Sequence, residues 1–314
     1  MDEILRLEGV VKTYTNHRAV DEVSFAVPRA SLFGLLGPNG AGKTSLIRII
    51  TAITRADAGA IYLDGKKLEG RFPQQIGYMP EERGLYKRMK VGEHLLYLAQ
   101  LRGVPKPEAQ QQIQHWFDKF DINDWRQKKI EELSKGMQQK IQFIATVMHR
   151  PKLLILDEPF SGLDPINTNL IKDEIYNLRQ QGTSIIFSTH RMEQVEAICE
   201  HIVLINQGRN ILEGPVRDIK ESFKDNLFRM QYTGRLPGWF FSKYQVVEQD
   251  ADAVTVQLPD ARQGDEMLRE VIAQGVHIRS FQEILPSLND IFIRQVEESN
   301  TSLPEELKAQ QSHE

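Results

Sequence analysis

The sequence has a single cysteine, Cys199, among its 314 residues, so a disulfide within the chain is excluded. The apolar neighbours of Cys199 recur at helical spacing, which favours a buried thiol over a reactive one and fits a reducing cytosol. No apolar run approaches the ~20 residues that a membrane-spanning helix needs. The start, Met1-Asp2-Glu3, also lacks the charged-then-apolar form of a signal peptide. We therefore expect any link to a membrane to come through a partner.

The chain also lacks a strong excess of charge of either sign. Its 39 lysines and arginines face 43 acidic residues, which gives a formal net charge of -4. Because proteins that bind the phosphate backbone of nucleic acids usually carry a basic surface, no nucleic acid partner is expected. A length of 314 residues exceeds one average domain of ~100–150 residues, so a main domain with a smaller one is predicted.

Residues 37–45 match the phosphate-binding loop pattern G-x-x-x-x-G-K-[ST]. An apolar run at 31–36 predicts a buried strand before the loop, and 45–50 show the periodicity of a helix after it. In this context Lys43 can reach the β- and γ-phosphates of a nucleotide, and the Thr44 hydroxyl can ligate Mg²⁺. The predicted ATP-binding residues of the loop are Gly37, Pro38, Asn39, Gly40, Ala41, Gly42, Lys43, Thr44 and Ser45.

A second apolar run, 152–156, ends in Asp157 and Glu158. Such a run is typical of a strand buried on both faces of a parallel sheet, where ligands gather at the carboxyl ends of the strands. With a phosphate loop upstream, Asp157 is expected to hold Mg²⁺, usually through water, and Glu158 to accept the proton of an attacking water. In isolation, the same acids followed by Pro159 would more simply be a capped strand end.

The order of predicted elements indicates an α/β fold in the first 222 residues. Alternating polar and apolar residues at 4–10 and 19–27 predict two antiparallel strands. Residues 91–148 have a helical pattern, and from 152 to 205 strands alternate with helices, which predicts a parallel core sheet.

Tyr14 lies in the polar connection between the two predicted antiparallel strands. A loop tyrosine is usually a lid packed over the sheet, yet one that precedes a phosphate loop can also stack on a nucleotide base. The residues alone leave these two interpretations equally open.

The pattern changes near residue 222, after which strands and helices of a separate module are predicted. We expect a small α+β domain over residues 223–297 and a polar, mobile tail over 298–314. Since every nucleotide motif precedes it, we interpret this domain as an interaction or dimer-bracing module.

Residues 133–139, Leu-Ser-Lys-Gly-Met-Gln-Gln, resemble the signature sequence of the ATP-binding subunits of ATP-binding cassette (ABC) transporters. They fall shortly before the strand that ends in Asp157, where that family has its signature. Residues 161–164 (Ser-Gly-Leu-Asp) resemble the family's D-loop, and 188–190 (Ser-Thr-His) resemble its switch-histidine loop. Tyr14 sits where the family places an adenine-stacking aromatic residue.

The resemblance implies a P-loop NTPase fold with a parallel core sheet, an antiparallel β subdomain and a helical subdomain at about 86–150. It also implies a head-to-tail pair that encloses two ATP molecules, with Ser134 and Gly136 facing the γ-phosphate held by the opposite subunit. Asp164 is expected in the same nucleotide site. His190 is expected to contact the γ-phosphate, so that Glu158 and His190 are the predicted catalytic residues.

The sequence departs from the family pattern at several positions. The signature has Lys135 where the family commonly has Gly and Met137 where it commonly has Gln, and the Q-loop glutamine is replaced by Glu81. The segment 80–86, Pro-Glu-Glu-Arg-Gly-Leu-Tyr, and the ending 286–292 resemble the sodium-extrusion type of bacterial ABC-2 exporter ATPases.

Glu81 has two interpretations. It can form a surface ion pair with Arg83 or Lys87, as charged loop residues tend to stay solvated. Alternatively its carboxylate helps to hold Mg²⁺, a hard cation that favours oxygen ligands, so that the loop senses the metal-nucleotide complex.

The resemblance implies an ATPase of the ABC-2 exporter type, which energises transport through a separate integral-membrane permease. The permease is expected to dock on the helical subdomain. A homodimer, at the cytoplasmic inner face of the cell membrane, is the expected assembly. Two other classes stay open: a soluble ABC ATPase acting on ribosomes or DNA, which would usually have two cassettes or a coiled coil, and a regulatory nucleotide-binding module, which would usually lack Glu158.

Overall fold

We describe the protein from a computed structural model, which covers residues 2–15, 17–68, 74–82 and 84–301. The chain divides into two compact units, Met1–Pro215 and Val216–Glu314. Arg83 and the predicted tail from residue 302 onward lie outside the described residues.

The first unit contains both strands and helices. Its strands are β1 (Glu3–Tyr14), β2 (His17–Pro28), β3 (Leu32–Leu36), β4 (Ala58–Leu63), β5 (Lys66–Lys67), β6 (Ile76–Met79), β7 (Leu153–Asp157), β8 (Ser184–Ser188), β9 (His201–Asn206) and β10 (Arg209–Pro215). Its helices are α1 (Lys43–Ile50), α2 (Val91–Leu101), α3 (Lys106–Lys119), α4 (Lys135–Val147), α5 (Pro165–Gln180) and α6 (Met192–Ile198).

A six-stranded sheet with the order β10-β9-β3-β8-β7-β6 forms the centre of this unit. All neighbouring strands are parallel except β10, which runs antiparallel to β9. β3, β7 and β8 are buried along their whole length, as expected for apolar strands covered on both faces. In this register Ser188 pairs with both Leu35 and Asp157, so the carboxyl ends of the three strands meet at one edge.

A four-stranded sheet with the order β2-β1-β4-β5 is the predicted antiparallel β subdomain. The alternation of apolar and polar residues that predicted β1 and β2 corresponds to alternating burial along both strands. Its buried face shares a hydrophobic core with α1 and the central sheet.

Helices α2, α3 and α4 are the predicted helical subdomain. Aromatic rings pack inside it: the ring of Trp116 lies 5.4 Å from that of Phe120 and 6.1 Å from that of Phe143. These residues are buried, as helical periodicity predicted. In the described part of the chain, no helix is long and apolar enough to span a membrane.

The second unit has its own sheet and core. Its elements are α7 (Val216–Ser222), β11 (Leu227–Thr233), α8 (Phe240–Lys243), β12 (Gln245–Gln249), β13 (Ala253–Gln257), α9 (Ala261–Ala273), β14 (His277–Ile284) and α10 (Leu288–Thr301). The sheet has the order β12-β13-β11-β14, with every pair antiparallel. The succession from β11 to β14 is a split β-α-β-β-α-β arrangement.

Some elements differ from the sequence-based prediction. β10 and α7 were not predicted, and the division between the units falls before α7, whereas the predicted boundary at 222 falls after it. α10 continues to Thr301, past the predicted start of the tail at 298. Its last turn is polar all round, so hydrophobic periodicity gave no sign that the helix continues there.

Candidate active site

The phosphate loop follows β3 and leads into α1 with backbone conformations that only glycine adopts easily. Gly42, the residue that caps α1, has φ of 105°, and a Cβ there would lie 2.2 Å from the carbonyl oxygen of Ala19. A Cβ on Gly37 would lie 2.1 Å from the carbonyl oxygen of Ile205. The loop is therefore packed against the backbone of β2 and β9, and larger residues cannot replace these glycines without displacing it.

Lys43 is the first residue of α1, and its ammonium lies within the loop. Its Nζ donates to the carbonyl oxygens of Gly37 at 2.7 Å and Pro38 at 2.9 Å. Burial lowers the pKa of this ammonium, because desolvation disfavours its charged form. The negative charges of three carboxylates oppose that shift, namely those of Asp157, Glu158 and Glu81.

Asp157 is the last residue of β7 and is buried. Burial raises the pKa of its carboxyl group, and the negative charges of Glu81 and Glu158 raise it further, whereas the charge of Lys43 lowers it. The charges of Glu81 and Glu158 repel that of the buried Asp157 carboxylate, so the arrangement favours a cation beside Asp157. In the described residues, however, no group of three or more His, Cys, Asp or Glu side chains has the geometry of a complete metal site.

Glu158 directly follows β7 and has φ of 49°, a left-handed conformation that is uncommon for residues other than glycine. The loop after β8 holds its carboxylate: Oε2 accepts from the Thr189 hydroxyl at 3.0 Å, and Oε1 accepts from the His190 backbone N–H at 2.8 Å. The His190 ring atom Nδ1 lies 2.6 Å from the same Oε1. The His190 side chain is 60% exposed, so its ring is accessible from solvent.

Glu81 lies in the loop after β6 and is exposed. Burial lowers the pKa of Lys43 and raises that of Asp157, and the negative charge of Glu81 opposes the first shift and adds to the second. Among the described residues, no ion pair joins Glu81 to Lys87. The other partner considered from the sequence, Arg83, lies outside those residues.

Tyr14 ends β1, and its ring is 39% exposed. The Lys12 ammonium lies 5.4 Å from the ring centroid and forms an ion pair with Asp57 at 2.7 Å. This exposure is that of an aromatic residue at the surface rather than that of a lid packed over the sheet.

Ser134 and Asp164 both cap helices. Ser134 Oγ accepts from the Met137 N–H at the start of α4, and Asp164 Oδ1 accepts from the Asn167 N–H at the start of α5. A surface cavity of about 400 Å³ lies between the two helix starts. Gly136 lines this cavity, and a Cβ on it would lie 3.4 Å from the carbonyl oxygen of Gly162, which is about van der Waals contact.

The structure thus brings the predicted residues together in two groups. The first, here named the loop group, consists of Lys43, Glu81, Asp157, Glu158 and His190. The second, the cap group, consists of Ser134, Gly136 and Asp164. Within the described ranges, no hydrogen bond or ion pair joins a member of one group directly to a member of the other. Thr44 is exposed at the start of α1, beside Lys43, with Ser45 half-buried after it.

Sequence reasoning missed residues that shape this site. Gly208, in the turn between β9 and β10, donates its N–H to the Ala41 carbonyl at 2.9 Å and so supports the phosphate loop from behind. Gln139 donates its side-chain amide to the Pro159 carbonyl at 3.0 Å. A glycine between two apolar runs could have predicted the hairpin at 206–209. The contact of this hairpin with the phosphate loop depends on β9 lying next to β3, and no local sequence pattern predicts that order of strands.

Two family models match the chain. One, described as ABC transporter, matches residues 20–161. The other, described as ATP-binding protein DrrA1-3-like, C-terminal domain, matches residues 214–296. The first match covers the phosphate loop and extends past Glu158, and the second covers nearly all described residues of the second unit.

Two relatives are similar over almost the whole chain, and a solved structure is similar over 70% of it. An uncharacterized ABC transporter ATP-binding protein of Bacillus subtilis strain 168, YhaQ, is 41% identical over 302 residues, which cover 93% of this chain and 98% of that protein. The daunorubicin/doxorubicin resistance ATP-binding protein DrrA of Streptomyces peucetius is 29% identical over 301 residues, 92% of this chain and 91% of that protein. A solved structure of an ATP binding subunit of an ABC transporter has a TM-score of 0.66 and 29% identity, covering 70% of this chain and 93% of that one.

Proposed function

This chain belongs to the family of ABC transporter ATP-binding proteins, and on that premise we propose how its residues bind and hydrolyse ATP. It is an ATP-hydrolysing subunit that energises a separate permease, with relatives of the DrrA-like ABC-2 exporter type. The family and the activity predicted from the sequence are confirmed. The similarity to the sodium-extrusion type remains a resemblance.

Lys43 binds the β- and γ-phosphates of ATP, and for this it exchanges its contacts with the Gly37 and Pro38 carbonyls for phosphate oxygens. The N–H groups of residues 37–45 and the start of α1 supply further donors to the phosphates. Tyr14 stacks on the adenine through the exposed face of its ring. Support comes from the position of Lys43 inside the loop and from the exposure of Tyr14.

Thr44 and Asp157 hold Mg²⁺, and Glu81 contributes a further carboxylate. The donor set fits this ion, because hydroxyl and carboxylate oxygens are the ligands that Mg²⁺ prefers. The pKa of Asp157 is raised by burial and further by the negative charge of Glu81, and two like charges also favour a bound cation. Few protein ligands would be needed, because Mg²⁺ in nucleotide sites is usually bound by one or two carboxylates together with substrate phosphates. When bound, Mg²⁺ supplies positive charge to the phosphate oxygens.

Glu158 accepts the proton of the water that attacks the γ-phosphate, and His190 contacts the γ-phosphate itself. The observation that carries this assignment is the set of contacts between the Glu158 carboxylate and residues 189–190 at the edge where Asp157 and Lys43 also lie. These contacts fix the carboxylate before the reaction, so little reorganisation is needed in the transition state.

Two chains pair head to tail, so that each ATP lies between the loop group of one chain and the cap group of the other. This arrangement uses both groups, although no direct bond joins them within the described part of one chain. Ser134 and Gly136 then face the γ-phosphate, with Asp164 beside them. Closure on ATP and opening after hydrolysis drive the transport cycle.

The pair sits at the cytoplasmic face of the membrane, with the helical subdomain against the permease and the second unit serving interaction or bracing of the pair. Co-purification tests this placement. When membranes are solubilised, the chain should be recovered with a polytopic membrane protein and should hydrolyse ATP in a Mg²⁺-dependent manner. Recovery with ribosomes or DNA and without a membrane protein would favour the soluble ABC ATPase class instead.

A further inference from the structure

Three glutamines of α4 donate their side-chain amides to backbone carbonyls of three different segments. Gln138 donates to Leu133 at 2.9 Å, Gln139 to Pro159 at 3.0 Å and Gln142 to Pro80 at 2.7 Å. The segments are those next to Ser134, Glu158 and Glu81, respectively. One helix therefore fixes the backbone beside three residues of the proposed site.

The backbone at Glu158 needs such support. Its φ of 49° lies in the left-handed region, which residues other than glycine occupy only when their surroundings hold them there. Its N–H donates to the Ser188 carbonyl at 2.9 Å, and its carbonyl accepts from the Ser161 N–H at 3.1 Å. On the side of Pro159, which has no N–H of its own, the amide of Gln139 holds the next carbonyl.

The bond between Gln139 and Pro159 is shielded from water. Gln139 is 2% exposed and Pro159 is buried. When Gln139 loses its amide, the Pro159 carbonyl therefore loses a partner that water does not readily replace. The turn that contains Glu158 is then free to relax from its left-handed conformation.

We propose that Gln139 is a positioning residue for catalysis: by holding the Pro159 carbonyl, it keeps the Glu158 carboxylate aimed at the attacking water. The proposal rests on the role of Glu158 as the proton acceptor. Residues 189–190 hold the carboxylate end of Glu158, and Gln139 holds the backbone that follows it. Glu158 is thus held at its carboxylate by the loop after β8 and at the backbone that follows it by α4.

The test replaces Gln139 with methionine, which keeps the length of the side chain and removes the amide. In the full-length protein at saturating Mg²⁺, Q139M is expected to lower kcat roughly 10- to 100-fold, since displacement of a catalytic group by about 1 Å can cost that much. KM and the Kd for ATP should stay within about twofold, because the contacts that bind the ground state are untouched.

T183V is the matched control. The Thr183 hydroxyl donates to the Pro151 carbonyl at 3.3 Å, before β7, whereas Gln139 binds the proline carbonyl after β7. Each variant removes a side-chain hydrogen bond to the carbonyl of a proline beside β7. Both are therefore expected to lower the free energy of unfolding measured in urea. Only Q139M should lower kcat. If it fails to fold, Q139N keeps a polar amide that is one methylene too short to reach Pro159.

A double variant separates positioning from a general structural effect. If Gln139 acts through Glu158, then Q139M should lower the residual rate of E158Q by less than about twofold, because the group it positions is already absent. A loss of the same size in both backgrounds, or equal kcat in Q139M and the wild type, overturns the proposal. Wild-type turnover in E158Q would instead remove Glu158 from the proton-acceptor role, and the positioning role with it.

Discussion

The His190 ring atom Nδ1 lies 2.6 Å from Oε1 of Glu158, although the two residues are 32 positions apart in the chain. The adjacency of β7 and β8 produces this contact, since both residues follow the carboxyl ends of these neighbouring parallel strands. The same oxygen also accepts from the His190 N–H. The loop after β8 therefore fixes the orientation of both Glu158 and His190. We expect the effects of mutating these two residues on kcat to be non-additive.

Glu158→Gln should keep ATP binding and lose nearly all hydrolysis. The amide preserves the size of the side chain but cannot accept the proton of water at neutral pH, so the loss falls on the transition state. We expect kcat to fall at least 100-fold, in line with the usual contribution of ~10²–10⁴ from general base catalysis. The variant should also accumulate as an ATP-bound pair, which sedimentation with and without ATP would measure. Turnover at the wild-type rate would exclude Glu158 as the general base.

Lys43→Ala should abolish tight ATP binding. The side chain is proposed to reach two phosphates, and a hydrogen bond to a charged group is worth ~1.5–3 kcal/mol, so we expect the Kd for ATP to rise by about 100-fold. Isothermal titration with ATP measures the change. Lys66→Ala, an exposed lysine of β5, is the control and should bind ATP like the wild type. Equal affinity in Lys43→Ala would place the phosphates elsewhere.

Much of the fold was predictable because local patterns and sheet position agree. The apolar runs of β3 and β7 identified buried parallel strands, and the acids that follow β7 lie at the sheet edge where ligands bind. The phosphate loop was predictable from its glycines, since Gly37 and Gly42 approach the backbone too closely for any Cβ. In both cases the residues of one short segment are enough to predict the structure: apolar side chains for the buried strands, and glycines for the tightly packed loop.

The support around the site was not predictable in the same way. Gly208 reaches Ala41 and Gln139 reaches Pro159 only because of how the strands and α4 are arranged. Gly208 lies in a hairpin turn, which has an ordinary structural explanation. Gln139 ends the signature-like segment 133–139, but that resemblance did not indicate a contact with Pro159. Contacts between segments far apart in the chain depend on the tertiary fold, which periodicity does not contain.

His94 should make the stability of the protein sensitive to acid. It is completely buried, neither ring nitrogen has a hydrogen-bond partner among the described residues, and burial lowers its pKa from 6.5 to about 4. As the pH falls, His94 therefore takes up a proton in the unfolded chain before it does so in the folded one. Its contribution to the free energy of unfolding is complete above pH 6.5 and is lost as the pH falls towards 4. At ~1.4 kcal/mol per pKa unit, the loss amounts to about 3 kcal/mol.

Urea unfolding of the wild type and His94→Leu at several pH values measures this contribution. The variant should show a flatter dependence on pH between 6.5 and 4. His115→Gln, an exposed histidine of α3, should leave the dependence unchanged. Parallel curves for the wild type and His94→Leu would mean that His94 is not the group that titrates.

A chain that ends at residue 222 should bind ATP with an affinity within about twofold of the full-length protein. Every proposed ATP contact lies in the first unit, and the second unit has a hydrophobic core of its own. Circular dichroism would verify that the shortened chain is folded before its affinity is compared. A folded but non-binding chain would contradict this division of roles.

Glu81→Gln should weaken the dependence of hydrolysis on Mg²⁺ and leave metal-free ATP binding unchanged or tighter. The substitution removes one negative charge and keeps the shape of the side chain. Burial is the main cause of the raised pKa of Asp157, and the charge of Glu81 adds to it. Without a cation, the charge of Glu81 therefore repels that of Asp157 and also the phosphates of ATP. With Mg²⁺ bound, the same charge is offset by the ion, so the carboxylate favours the metal-nucleotide complex over free ATP.

The ATPase rate as a function of Mg²⁺ concentration, at saturating ATP, distinguishes the two interpretations of Glu81. Glu82→Gln is a matched control, since Glu82 is the next residue, is also exposed and loses the same charge. If Glu81 helps to hold the metal, the ATPase rate of Glu81→Gln depends less steeply on Mg²⁺ concentration than that of the wild type, whereas the curve of Glu82→Gln is unchanged. Superimposable curves for the wild type and both variants would return Glu81 to the surface role, in which it pairs with a neighbouring cation and leaves the metal to Thr44 and Asp157.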